Sequence, residues 1–97
     1  MAIAQDLAGK VVVVTGAGRG IGRQIAIGAA QRGAKVALVE LITENLTAAV
    51  KEISDMGMTA KGYQTDISSE SEIIKSFAAI EKDFGQIDCL VNNAMIH

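Results

Sequence analysis

Proline and tryptophan are absent from this chain, cysteine occurs once, and the aromatic side chains are limited to Tyr63, Phe77 and Phe84. Without proline, no helical pattern is interrupted from within. The lone Cys89 excludes an internal disulfide framework. It stands in an apolar strand pattern, so it is expected to be a small buried hydrophobe. No apolar run approaches the roughly 20 residues of a membrane span. The start of the chain also lacks the basic stretch followed by an apolar one that marks a secretory leader. The expected location is cytoplasmic. Nine basic residues against eleven acidic ones leave a net charge of −2. The basic residues are not clustered, which argues against a nucleic-acid surface built on phosphate neutralisation.

What is present is the composition of a folded domain: 49% apolar and 21% charged residues, too apolar for disorder. The length allows one domain, and an excess of Ala, Val, Ile and Gly suits close helix-on-sheet packing. Two periodicities alternate along it. Lys10–Thr15, Lys35–Val39, Ala60–Gln64 and Cys89–Asn92 have the length and content of strands, and the first and last are continuously apolar, as buried parallel strands are. Between them, helical spacing runs over Gly20–Arg32 (Ile21, Ile25 and Ala29 on one stripe), Glu44–Asp55 (Leu46, Val50, Ile53) and Ser69–Phe84 (Ile73, Ile74, Phe77, Ile80, Phe84). Gly33, Gly57 and Gly85 follow the three helices where a left-handed cap is wanted. Ser69 and Glu72 have capping-box spacing. The order β-α-β-α-β-α-β with short connections and right-handed crossovers predicts a doubly wound parallel α/β sheet of strand order 3-2-1-4.

The segment Thr15–Gly22, TGAGRGIG, lies between the first strand and the first helix. Gly16 permits a sharp exit from the strand, and Gly20 and Gly22 allow close approach of a ligand and of the sheet. The helix behind them directs unpaired N–H groups and a partial positive charge at the crevice, a place suited to a pyrophosphate. Gly16, Gly18, Arg19, Gly20, Ile21 and Gly22 are therefore candidate ligand-binding residues. No Lys-Ser/Thr pair follows Gly22, which argues against a nucleoside triphosphatase loop.

Glu40 ends the second strand, eighteen residues after Gly22, where a carboxylate in a dinucleotide-binding fold accepts hydrogen bonds from the adenosine ribose. Arg19 pulls the other way, since a cation in the loop can bind a 2′-phosphate. A like charge about 4 Å from a phosphate costs about 4 kcal/mol at intermediate dielectric, whereas an exposed arginine returns ~1 kcal/mol or less. The expected cofactor is NAD, preferred on account of Glu40, with NADP through Arg19 as the alternative.

With these residues assembled, the chain resembles the short-chain dehydrogenase/reductase family in its N-terminal, Rossmann-type half. The loop is the family's T-G-x-x-x-G-x-G. TDIS resembles its strand-end Asp followed by an apolar residue, which implies Asp66 and Ile67 beside the adenine. NNA (Asn92–Ala94) resembles its N-N-A-G motif, which implies Asn93 near the cofactor ribose; Met95 stands where that motif has glycine. The resemblance implies an NAD(P)-dependent oxidoreductase moving a hydride between nicotinamide and a secondary alcohol or ketone, with 3-oxoacyl thioester reductases and alcohol or sugar dehydrogenases as model activities.

The family's catalytic serine and Tyr-x-x-x-Lys pair follow the N-N-A-G motif. Tyr63 has Ile67, not lysine, four residues on, and His97 has no candidate partner. No catalytic and no metal-binding residue is therefore assigned. Residues 1–97 are read as one dinucleotide-binding domain, incomplete at its C-terminal side and inactive alone, from an enzyme expected to be a homo-oligomer. Two other readings use the same residues: a non-catalytic NAD-binding module, or an interaction protein that pairs through the open edge of its fourth strand.

Overall fold

The computed structural model describes residues 4–93. Among them, β1 (Val11–Thr15), α1 (Gly20–Gln31), β2 (Lys35–Glu40), α2 (Thr43–Asp55), β3 (Ala60–Gln64), α3 (Glu70–Phe84) and β4 (Cys89–Asn92) follow in sequence. The four strands form one parallel sheet in the order β3-β2-β1-β4. Lys10 falls outside β1 because its N–H is taken by Leu7 in the preceding turn.

Alternation along each strand sends successive side chains to opposite faces. Val12, Val14, Val36 and Leu38 join Ala26, Ala30, Leu46, Ala49 and Ile53 of α1 and α2 in one core layer. Val13, Ala37, Val39 and Ile80 form the other layer beneath α3, with Tyr63, Phe77 and Phe84 packed at its border. Both faces of β1 and β2 are covered, which is why these strands read as uninterrupted apolar runs.

The helix faces differ from the sequence pattern at two residues. Ile21 is 73% exposed and Ile74 61% exposed. In α1 the buried residues are Gly22, Ala26, Ile27, Ala29 and Ala30, with Ile25 packed beside them, so Ala29 and Ile25 lie as expected; Ile21 stands one residue, about 100° of helical turn, before Gly22 and off that face. Cys89 is exposed as well, contrary to the buried position expected of it. The reason is its strand. Among the described residues β4 pairs with β1 alone and forms a sheet edge, and Leu90 beside Cys89 is 49% exposed.

Gly33, Gly57 and Gly85 all have positive φ, between 79° and 100°, as the left-handed helix ends required. The start of α3 is only half a capping box. The Ser69 hydroxyl accepts the Glu72 N–H at 3.4 Å, but the Glu72 carboxylate accepts from the Asp66 N–H at 3.0 Å, not from Ser69. Glu72 thereby fastens the loop leaving β3 to the helix. Ser69→Ala is expected to lower stability by about 1 kcal/mol in urea denaturation.

Polar side chains complete the joints. Thr65 and Ser76 share a buried hydroxyl–hydroxyl hydrogen bond of 2.6 Å between the end of β3 and α3. Asp83 of α3 accepts from both Lys61 and Tyr63 of β3, each at 2.7 Å. Burial and the Asp83 carboxylate push the Tyr63 phenol up from its usual range, which keeps it a neutral donor. Tyr63 is thus a packing residue with a polar anchor. At the near end of the sheet, the Asp88 carboxylate accepts the Val11 N–H at 2.8 Å while the Asp88 N–H reaches the Val11 carbonyl at 2.9 Å.

Candidate functional site

The carboxyl ends of the parallel strands bring Thr15, Glu40, Gln64 and Asn92 to one edge of the sheet. The strand order reverses between β1 and β4, so a crevice opens there, and open α/β sheets bind ligands at such switch points. The glycine loop borders it. Gly16 and Gly20 have φ of 63° and 60°, a region that L side chains rarely adopt. A Cβ on Gly20 would meet nothing within 4 Å, so the loop's outer side faces open space.

Gly18 and Gly22 are required for closeness. A Cβ on Gly22 would lie 2.1 Å from the Gly16 carbonyl oxygen, and one on Gly18 would lie 2.6 Å from the Glu40 side chain and 2.7 Å from Asn45.

The start of α1 carries no capping side chain and no acidic residue in its first turn, and its N-cap residue, Arg19, is extended. By contrast, α3 has both a serine cap and two acidic residues in its first turn. The α1 N–H groups and partial positive charge are therefore left for an anion. This donor set fits a pyrophosphate. Arg19 is exposed and forms no ion pair among the described residues. Arg23, one turn on, is directed away and binds Glu52 of α2 through its Nε at 2.8 Å.

Glu40 is half-buried at the end of β2. Its Oε1 accepts the Gly18 N–H at 2.9 Å and its Oε2 accepts the Ile42 N–H at 3.1 Å. A carboxylate offers about four lone-pair sites, so two remain for hydroxyl donors. Asp66 turns its carboxylate onto Ser68, whose N–H and hydroxyl both donate to Oδ1 at 2.9 and 2.6 Å. These bonds hold the Asp66 carboxyl below the usual carboxylate range. Ile67 lines a largely apolar cavity of about 280 Å³ on the α3 side, bounded also by Val39, Phe77, Leu90, Thr15 and Asn92.

Asn93 reaches back to the loop, its N–H donating to the Thr15 hydroxyl at 3.0 Å and its Nδ2 to the Gly16 carbonyl at 3.4 Å. The Thr15 hydroxyl in turn donates to Asn92 Oδ1 at 2.9 Å. The structure thus gathers the glycine loop, Glu40 and Asn93 into one constellation. It sets Asp66 and Ile67 on the neighbouring β3–α3 loop. Ala94, Met95 and His97 lie outside the described residues.

Thr15 and Asn45 were not singled out from the sequence. The threonine directly before the first glycine was a signal for a hydroxyl at the strand exit, whereas nothing local marked Asn45 as the neighbour of Gly18. No cluster of His, Cys, Asp or Glu able to hold a metal occurs among the described residues, and no helix there is long and apolar enough to cross a membrane.

A parallel sheet of this order, with a glycine loop at its switch point, defines a Rossmann-type nucleotide-binding fold. Comparison with known proteins narrows the class. Residues 10–97 match the short chain dehydrogenase family, and the chain belongs to that family. Gluconate 5-dehydrogenase of Gluconobacter oxydans is 41% identical over 91 residues, covering 94% of this chain and 36% of that enzyme. The structure of an NAD+-bound xylitol dehydrogenase superposes with a TM-score of 0.91 at 37% identity, covering 94% of this chain and 35% of the other. A metagenomic short-chain oxidoreductase in complex with NADP gives 0.87 at 38% identity, covering 92% and 40%. The chain spans between 30% and 36% of the length of the first curated relatives it matches.

Proposed function

We propose that this chain is the cofactor-binding part of an NAD(P)-dependent oxidoreductase that moves a hydride between a nicotinamide and a secondary alcohol or ketone. One observation carries the reading: an uncapped helix N-terminus behind a glycine loop, with the Glu40 carboxylate on the loop's flank. The α1 N–H groups would hold the pyrophosphate, and the free lone pairs of Glu40 would accept the adenosine ribose hydroxyls. Asp66 and Ile67 would border the adenine and Asn93 the nicotinamide-side ribose. A nicotinamide held this way supplies the hydride acceptor or donor. The names of the relatives, among them gluconate 5-dehydrogenase and xylitol dehydrogenase, support a polyol, sugar-acid or related carbonyl substrate class. Residues 1–97 are proposed to bind the dinucleotide without turning over substrate.

The preferred cofactor is NAD, because Glu40 would face the 2′-phosphate of NADP with like charge. Calorimetric titration of the chain with NAD+ and NADP+ tests this. NAD+ is expected to bind more tightly, and Glu40→Ala to narrow the ratio by about tenfold or more. An unchanged ratio overturns the NAD assignment, and no saturable binding of either dinucleotide overturns the reading as a whole.

A further inference from the structure

We propose that Glu40 is also a positioning residue for the glycine loop, presetting it before any ligand arrives. The inference rests on the dinucleotide reading for its functional consequence but not for its geometry. Two consecutive N–H groups of the loop are held by the end of β2. Ala17 donates to the Val39 carbonyl at 3.3 Å, and Gly18 donates to the Glu40 Oε1 at 2.9 Å. The first is a backbone contact that any residue at position 39 would supply. The second depends on the side chain at position 40.

The other carboxylate oxygen accepts from Ile42, the N-cap residue of α2, at 3.1 Å. Glu40 therefore ties the β1–α1 loop to the start of α2, on the β2 side of the glycine loop. Gly18 is buried beneath it, with no room for a Cβ between the Glu40 side chain and Asn45. A buried backbone N–H without an acceptor is costly, so removing the carboxylate leaves Gly18 either unpaired or displaced. A displaced Gly18 carries Arg19 and Gly20 with it, and these lead into the α1 N-terminus.

The consequence concerns cofactor choice. If Glu40 served only as a charge opposed to a 2′-phosphate, any neutral residue would admit NADP equally. If it also holds the loop, only a neutral acceptor of similar length does so. Glutamine keeps a carbonyl oxygen for Gly18 and removes the charge, whereas alanine removes both.

The test uses the 97-residue chain and two variants, Glu40→Gln and Glu40→Ala. Amide hydrogen exchange in the absence of nucleotide should show Gly18 protected in the parent chain and in Glu40→Gln. Its exchange should be about tenfold faster in Glu40→Ala, with the β1 amides unchanged as the check on folding. A scalar coupling across the hydrogen bond, from the Gly18 nitrogen to the Glu40 side-chain carboxyl carbon, should be detectable in the parent chain and requires no variant. Titration with NADP+ should then rank Glu40→Gln above Glu40→Ala.

Equal Gly18 exchange in all three proteins, or no coupling in the parent, overturns the loop-holding role. NADP+ binding by Glu40→Ala as tight as by Glu40→Gln overturns its consequence for affinity. If no protein binds either dinucleotide while the exchange and coupling results hold, the functional reading fails and the positioning role stands.

Discussion

Gly22→Ala is expected to lower the stability of the domain by about 3 kcal/mol or more in urea denaturation and to abolish measurable dinucleotide binding. The added Cβ would sit 2.1 Å from the Gly16 carbonyl oxygen, 2.9 Å from the Gly16 carbonyl carbon and 2.6 Å from the Asn93 Nδ2. Two of these three atoms are backbone, so no rotamer change relieves the overlap. Either α1 moves away from β1, opening the layer that Ala26 and Ala30 fill, or the loop gives up its shape. Overpacking of an ordinary core costs about 1–3 kcal/mol because side chains can yield, and here the main chain has to. Against a total stability of about 5–15 kcal/mol, that loss leaves a much larger unfolded fraction.

A control lies in the same helix. Gly28 has open space where its Cβ would be and does not have positive φ, so Gly28→Ala should stabilise by about 0.5–1 kcal/mol through helix propensity. Destabilisation by both substitutions to a similar degree would show that helix packing in general, not the Gly16 contact, sets the cost.

Leu38→Ala is expected to cost about 2–5 kcal/mol, measured the same way. Leu38 is fully buried in β2, inside the layer beneath α1 and α2 that also contains Val14, Val36, Ala49 and Ile53. Neighbours on three elements surround it, so the cavity cannot collapse without shifting a helix or a strand. Leu90→Ala provides the comparison, because that side chain is 49% exposed on the edge strand and its loss should cost under about 1 kcal/mol. Equal losses for the two leucines would contradict the burial described for β4.

The strands and the helix ends were legible because each has a local signature: apolar runs, helical spacing and a glycine after each helix; the strand order followed from their alternation and right-handed crossovers. The glycine loop was legible for the same reason. What escaped was set by partners distant in sequence. Cys89 and Leu90 carry the same apolar signal as Val12 and Val13, and only their place at the sheet edge separates them. Ile21 and Ile74 fit a helical stripe, yet spacing alone does not say which neighbouring stripe meets the sheet. Glu72 has the spacing of a reciprocal cap, and its preference for the Asp66 N–H depends on how the β3–α3 loop folds. Glu40 was recognised as a strand-end carboxylate, but its bond to Gly18 spans twenty-two residues and has no local mark. Asn92 and Asn93 read as one motif, whereas the structure divides them into an acceptor for the Thr15 hydroxyl and a donor to it.

The side-chain bonds at the two ends of the β1–β4 ladder bear on how the chain finds its pairing. Asp88 clasps Val11 at one end, and Thr15 meets Asn92 and Asn93 at the other. A slip of one residue, about 3.3 Å along the strand, would turn every β4 side chain to the opposite face and undo both fastenings together. Misaligned pairings therefore lose both side-chain fastenings at once and keep only the backbone ladder. The fastenings at both ends thus favour the one register in which Thr15 meets Asn92 at the crevice.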